Sequence, residues 1–161
     1  MRGRLIAIIG GTCSGKTTIA KKYEKEMKNA VYVNMEAGHG ARLVNPAKVN
    51  KIKEGIKSKT INSILYKIGR IVYGADVLFR MYFVVLPLTR RGKTVICDRY
   101  YDIKWVEKFL PTPNLTILIR PDIKILKKRK RPEVSMKQVL TEREEADNLF
   151  KRLKHDRYTQ D

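Results

Sequence analysis

Gly10-Gly11-Thr12-Cys13-Ser14-Gly15-Lys16-Thr17 is the stretch on which the reading of the chain turns. It fits glycine, four residues, then glycine-lysine-threonine, the spacing of a loop that wraps backbone N–H groups around phosphate oxygens. Gly10 and Gly15 let the backbone curl, Lys16 is placed to reach terminal phosphates, and the Thr17 hydroxyl is placed for magnesium. The context agrees. Leu5-Ile6-Ala7-Ile8-Ile9 reads as a buried strand entering the loop, and Thr17 to Asn29 reads as a helix leaving it, with Ile19, Ala20, Tyr23 and Met27 among lysines and glutamates. That helix points its positive end at the same anion. Gly10, Gly11, Thr12, Cys13, Ser14, Gly15, Lys16, Thr17 and Thr18 are therefore the candidate triphosphate-binding residues, with ATP as the expected ligand.

Working outward, the chain has 161 residues, 43% of them hydrophobic, which suits one folded domain and not a disordered segment. Two cysteines do not make a disulfide framework, and Cys13 and Cys97 read as two small buried thiols. His39 and His155 have no metal-ligand spacing. Only five apolar residues precede Gly10, too few for a secretory signal, and the apolar run Met81 to Leu88 is far shorter than the roughly 20 residues of a membrane span. A cytoplasmic protein with no membrane partner is expected. The formal charge is +19, and between Gly40 and Lys93 twelve Lys and Arg face only Glu54 and Asp76, leaving +10. Such a surface draws polyanions, so nucleic acid is a candidate partner beside nucleotides. A Lys-rich solvated face in a heat-adapted proteome is the other reading, although Glu usually rises with Lys in such proteomes.

Along the chain, Ala30 to Met35, Thr94 to Cys97 and Leu115 to Ile119 read as three further strands. Glu36 to Asn50 reads as a loop, and Lys51 to Gly92 as mostly helical, divided at Gly74. Tyr101 to Leu110 is expected to be a short helix, Asp122 to Arg131 a basic one, and Ser135 to Tyr158 a long one capped by Ser135. Strands alternating with helices predict an α/β, three-layer fold of the P-loop NTPase type, with a parallel sheet of about four strands flanked by helices. In such folds ligands sit beyond the carboxyl ends of the strands. Gly10, Glu36 and Asp98 all fall there. A carboxylate at a strand end opposite a phosphate loop is a candidate magnesium partner, and Arg99 beside it offers a planar fork for phosphate. A helix-capping Asp98 with Arg99 in a surface ion pair is the plainer alternative.

With these residues in place, the chain resembles the thymidylate kinase family of P-loop nucleoside monophosphate kinases. The resemblance rests on Gly15-Lys16-Thr17-Thr18, and on Leu86-Pro87-Leu88-Thr89-Arg90-Arg91-Gly92 running into Lys93-Thr94-Val95-Ile96-Cys97-Asp98-Arg99-Tyr100. It rests also on Arg120-Pro121-Asp122 with its basic helix, and on Glu144 to Leu153. It implies one kinase domain over residues 1–161, with an acceptor-side helical region at about 40–92 and a lid at about 124–135. It implies transfer of the terminal phosphoryl of ATP to a nucleoside monophosphate, with Mg2+ as cofactor held by Thr17 and Asp98. Lys16, Asp98, Arg99, Arg129 and Arg131 would be catalytic, and Glu36, Arg80, Arg99 and Tyr100 would bind the acceptor. The chain departs from the family pattern at several points. Thr12 stands where the family's loop carries an acidic residue, Glu36-Ala37-Gly38 replaces Glu-Pro-Gly, and Asp76 falls where an arginine is expected, with Arg80 one turn on. Trp105-Val106-Glu107 replaces Ala-Tyr-Gln, and the chain is expected to stop short of a fifth strand.

Other readings stay open at this level. The run Lys127-Lys128-Arg129-Lys130-Arg131 reads as part of a lid, as a nucleic-acid contact or nuclear signal, or as a solvated face. The acceptor could be a nucleic-acid end or another polyanion, or the chain could bind nucleotide without catalysis. Apolar helix faces between Ile61 and Leu88 could pair two subunits as a homodimer or form core.

Overall fold

A computed structural model describes residues 3–35, 59–100, 104–129, 134–153 and 157–160. The apolar pentapeptides become the sheet. Leu5–Ile9 (β1) is buried along its whole length. It lies between Thr94–Asp98 (β3) and Leu115–Ile119 (β4), pairing Ile6 with both Ile96 and Leu115. Ala30–Asn34 (β2) extends the sheet beyond β3, with Asn34 opposite Asp98. All pairings are parallel, so the central strands are covered on both faces and carry no alternating polar residues.

The alternation of β1 shows the three layers. Ile6 and Ile8 point to one face, where Ala20, Ile19 and Tyr23 of the helix Lys16–Glu26 (α1) cover them together with Ile96, Ile117 and Ile119. Leu5 and Ala7 point to the other, against Val77, Met81 and Val85. Ile9 joins Leu118 on that same side under Ala146, Leu149 and Phe150 of a later helix. Each fully buried isoleucine of this core contributes about 1.5–3 kcal/mol.

The long helix over the second face is one rod in three parts: Lys59–Arg80 (α2), a widened π turn at Met81–Val85, and Leu86–Arg90 (α3). Pro87 explains the middle part. It has no N–H to donate and its ring crowds the carbonyl four residues back, so the ladder opens and Leu86 N–H reaches Met81 O instead. The expected division at Gly74 is absent. The indole of Trp105 fills the place of the missing side chain, and a Cβ on Gly74 would lie 2.1 Å from that ring. By length and composition Lys67–Arg90 could cross a membrane, but Val77, Met81 and Val85 bind it to the sheet core.

Of the expected Tyr101 to Leu110 helix, Lys104–Glu107 (α4) is helical and ends before Leu110, while Tyr101 to Ile103 lie outside the described residues. Ile123–Arg129 (α5) carries the basic run as far as Arg129. Met136–Arg152 (α6) starts where expected, with Ser135 Oγ accepting the Gln138 N–H at 3.1 Å. It stops six residues before Tyr158. The four expected strands are present, and Arg157–Gln160 (β5) adds a fifth, parallel to β4, in an order β2-β3-β1-β4-β5. The expectation that the chain ends short of that strand is thereby corrected. Both Cys13 and Cys97 are free thiols, Cys97 buried and Cys13 half-buried.

Candidate phosphate-loop and metal site

The carboxyl edge of the sheet gathers the site. The loop leaves β1 at Gly10 and closes into α1 at Gly15, which caps the helix at φ 93°, a left-handed conformation that suits glycine. Cys13 takes a left-handed turn as well, at φ 64°. Lys16 folds back over the loop, its Nζ donating to the carbonyls of Gly10 and Gly11 at 2.8 Å each. Ser14 is buried and its Oγ has no partner, a polar group set inside a loop built to meet anions. Thr12 and Thr18 complete the stretch, Thr18 on the exposed side of α1.

Asp98 ends β3 level with the loop. It is 1% exposed. Its Oδ2 accepts the Thr17 hydroxyl at 2.6 Å and the Tyr32 hydroxyl at 3.3 Å, while Oδ1 is buried without a partner. Burial raises the neighbouring Cys97 thiol well above its ordinary value and the Asp98 charge adds to the shift, so that sulfur stays protonated. Arg99 follows at φ 59°, a costly conformation for a residue with a Cβ, which turns the chain sharply out of the sheet edge.

The basic helix reaches the loop. A Cβ on Gly15 would lie 3.1 Å from Arg129 Nη1, so this guanidinium stands over the start of α1. Arg131 and Glu36, the other expected lid and acceptor residues, lie outside the described residues. Two acceptor expectations change. Tyr100 is 1% exposed among Val95, Cys97 and Val106, and its hydroxyl is bonded to the Pro111 carbonyl, so it is a core residue. Arg80 is buried, donating Nη1 to the Asn34 carbonyl at 2.9 Å and pairing Nη2 with Asp76 Oδ2 at 2.9 Å. Its charge is matched within α2 and not left for an acceptor. It nonetheless lies at the carboxyl end of β2, beside the strand that ends in Asp98.

Two residues of the site carry no signal in the sequence. Tyr32 reaches Asp98 because residues 32 and 98 face the same space from adjacent strands, which a strand pattern alone does not reveal. Glu142 comes from α6, its Oε2 accepting the Thr12 N–H at 2.8 Å and its Oε1 the Gln138 amide at 2.9 Å. Burial pushes this carboxyl up. Hydrogen bonds from Thr12 and Gln138 together with the Lys16 charge outweigh that, and it lies below its ordinary value.

No protein-family model matches the chain. Curated relatives do. The probable thymidylate kinase of Pyrococcus horikoshii is 27% identical over 178 residues, covering 96% of this chain and 81% of that protein. The probable thymidylate kinase 2 of Saccharolobus solfataricus is 30% identical over 149 residues, covering 81% and 66%. Among solved structures, the thymidylate kinases of Candida albicans and Ehrlichia chaffeensis each superpose with a TM-score of 0.60, at 18% and 17% identity over 91% and 99% of this chain, and 76% and 89% of theirs. With the phosphate loop, the strand-end Asp98 and the parallel order of the sheet, these likenesses place the chain as a divergent, thymidylate kinase-like member of the P-loop nucleoside monophosphate kinases.

Proposed function

We propose that the protein is a nucleotide kinase that moves the terminal phosphoryl group of ATP onto a nucleoside monophosphate, with thymidylate as the first acceptor to test. The observation that carries this is the Thr17–Asp98 pair, joined at 2.6 Å beside the phosphate loop with one carboxylate oxygen buried and unpartnered. A hydroxyl and a carboxylate are hard oxygen donors that suit magnesium, and among the described residues no group of three or more acidic, His or Cys side chains could hold a metal alone. That fits an ion bound mainly through waters and substrate phosphates. When bound, the ion neutralises charge on the phosphate oxygens.

The chain's own residues do the positioning. The backbone amides from Cys13 to Thr18 cradle the phosphates, and Lys16 turns from the Gly10 and Gly11 carbonyls to the terminal phosphate. Arg129, with Arg131, neutralises charge that develops on the group in transit, and Arg99 grips the acceptor phosphate. Residues 124–135 act as the lid and residues 40–92 form the acceptor side, with Glu36 as a further acceptor contact. The protein works in the cytoplasm. Its apolar helix face makes a homodimer.

A coupled assay with ATP, magnesium and a panel of nucleoside monophosphates tests the proposal. At least one acceptor is expected to yield diphosphate at a rate that vanishes with EDTA. No diphosphate from any of them rejects it. A second reading takes a nucleic-acid end as the acceptor, favoured by the exposed Lys124, Lys127, Lys128 and Arg129 on α5. Labelled-phosphate transfer to oligonucleotides separates the two.

A further inference from the structure

α6 meets the phosphate loop backbone to backbone. A Cβ on Gly11 would lie 3.0 Å from the Arg143 nitrogen and 3.3 Å from its Cα. At that contact Glu142 turns its carboxylate onto the third residue of the loop. Oε2 accepts the Thr12 N–H at 2.8 Å. Oε1 accepts from Gln138, one turn earlier on the same helix, which fixes the side chain's direction. Lys16 holds the Gly10 and Gly11 carbonyls and lies close enough to act on Glu142 by its charge. A negative group beside an anion-binding loop opposes nucleotide binding unless it does something else. Thr12 is the position at which the resemblance leads one to expect an acid inside the loop.

We propose that Glu142 is a positioning residue for phosphoryl transfer, with α6 supplying from outside the loop the carboxylate that Thr12 does not carry. By gripping the Thr12 peptide through a charge-assisted hydrogen bond it fixes the leading edge of the loop, and with it the carbonyls against which Lys16 is set. The loop amides from Cys13 onward, which dominate affinity for bound phosphate, do not depend on this grip. Its effect therefore falls on turnover more than on ATP binding, since small misplacements near transferring groups cost up to about 100-fold in rate.

The inference rests on the kinase reading for its catalytic part, so two readouts are used. In the first, Glu142→Ala is expected to lower kcat about tenfold or more with KM for ATP changed less than about threefold, and Glu142→Gln, which keeps an acceptor for Thr12, to fall between. Adding Thr12→Glu to Glu142→Ala returns the carboxylate to the loop and is expected to recover most of kcat. In the second, amide hydrogen exchange of the nucleotide-free protein reads the grip without any acceptor. Protection of the Thr12 amide, which Glu142 holds, is expected to drop in Glu142→Ala and return in the double variant, with Cys13 to Lys16 unchanged. Unchanged kcat and protection in Glu142→Ala overturn the proposal, and so does a loss that Thr12→Glu fails to repair. A wild-type protein that transfers no phosphate, yet shows the exchange pattern, refutes the kinase reading and leaves the grip standing.

Discussion

Asp98 concentrates the chemistry of the site in two oxygens with different fates. Oδ2 is fixed by Thr17 and Tyr32, and Oδ1 has no partner although it is buried. A buried carboxylate oxygen left without a donor is costly, so its persistence points to a ligand that fills the need. Asp98→Asn keeps the shape and removes the charge. It is expected to lower kcat on the order of 10²–10³-fold and to raise the magnesium concentration needed for half-maximal rate, read in a magnesium titration of the coupled assay. Lys16→Ala also separates catalysis from simple nucleotide binding. An enzyme loses turnover, whereas a binding module loses only affinity. Glu142 makes a pH prediction. Its folded value is lowered from the ordinary 4.5, so it contributes stability that is present above that value and is lost as pH falls through the lowered one. The difference in Tm between wild type and Glu142→Gln is expected to be constant above about pH 5.5 and to shrink towards zero in more acid solution. A gap that stays the same at low pH would show that the charge does not matter there. The loop residues were legible from their spacing, because the phosphate cradle needs fixed residue types at fixed offsets. Tyr100 and Arg80 were not, because their surroundings, the Pro111 carbonyl and Asp76 with Asn34, are set by packing between distant elements.

At the scale of elements, the two periodicities carried most of the fold. Short apolar runs gave the three inner strands and the edge strand β2, and helical spacing gave α1 to within a few residues and the start of α6, while α6 ends six residues early and α2 runs undivided through Gly74. The misses have physical causes. β5 is four residues long, Arg-Tyr-Thr-Gln, too short and too polar for a strand signal, and it is a strand because β4 offers it an open edge. Gly74 looked like a break, but tertiary packing overrides its weak helix propensity by placing Trp105 where a side chain would be. This contact joins α2 to α4 and makes a sharp forecast. Gly74→Ala improves local helix propensity by about 0.5–1 kcal/mol, yet its methyl would stand 2.1 Å from the indole. Overpacking of this kind costs roughly 1–3 kcal/mol, so the net effect is destabilising and Tm falls by several degrees. Trp105→Ala in the same background is expected to make Gly74→Ala neutral or stabilising. Thermal unfolding of the two single variants and the double variant checks the coupling, and additive effects would reject it.

At the scale of the whole molecule, the described residues present a long apolar stripe to solvent. Ile68, Ile71, Phe79, Tyr82 and Phe83 recur at helical spacing along α2 and the π turn, and all are exposed, Phe83 at 68%. Phe79 and Phe83 stack on each other with centroids 4.7 Å apart. The opposite side of the same rod, at Val77, Met81 and Val85, is already core. The rod therefore carries large apolar residues on its outward side as well as on its core side, whereas a helix at a monomer's surface shows a polar outer face. A stripe of this kind suits packing against the same helix of a second copy about a two-fold axis, where each residue meets its symmetry mate or a neighbour. A strongly basic protein opposes its own association through net charge, so the apolar contact must outweigh repulsion, and raising the salt should tighten the pair. The wild-type protein is expected to elute as a dimer in light-scattering chromatography, more completely at high salt than at low. Phe83→Glu buries two carboxylates across the axis in the dimer but stands in water in the monomer. It is expected to yield monomer with unchanged far-UV circular dichroism. A monomeric wild type at all salt concentrations, or a Phe83→Glu variant that stays dimeric, rejects the pairing of this face.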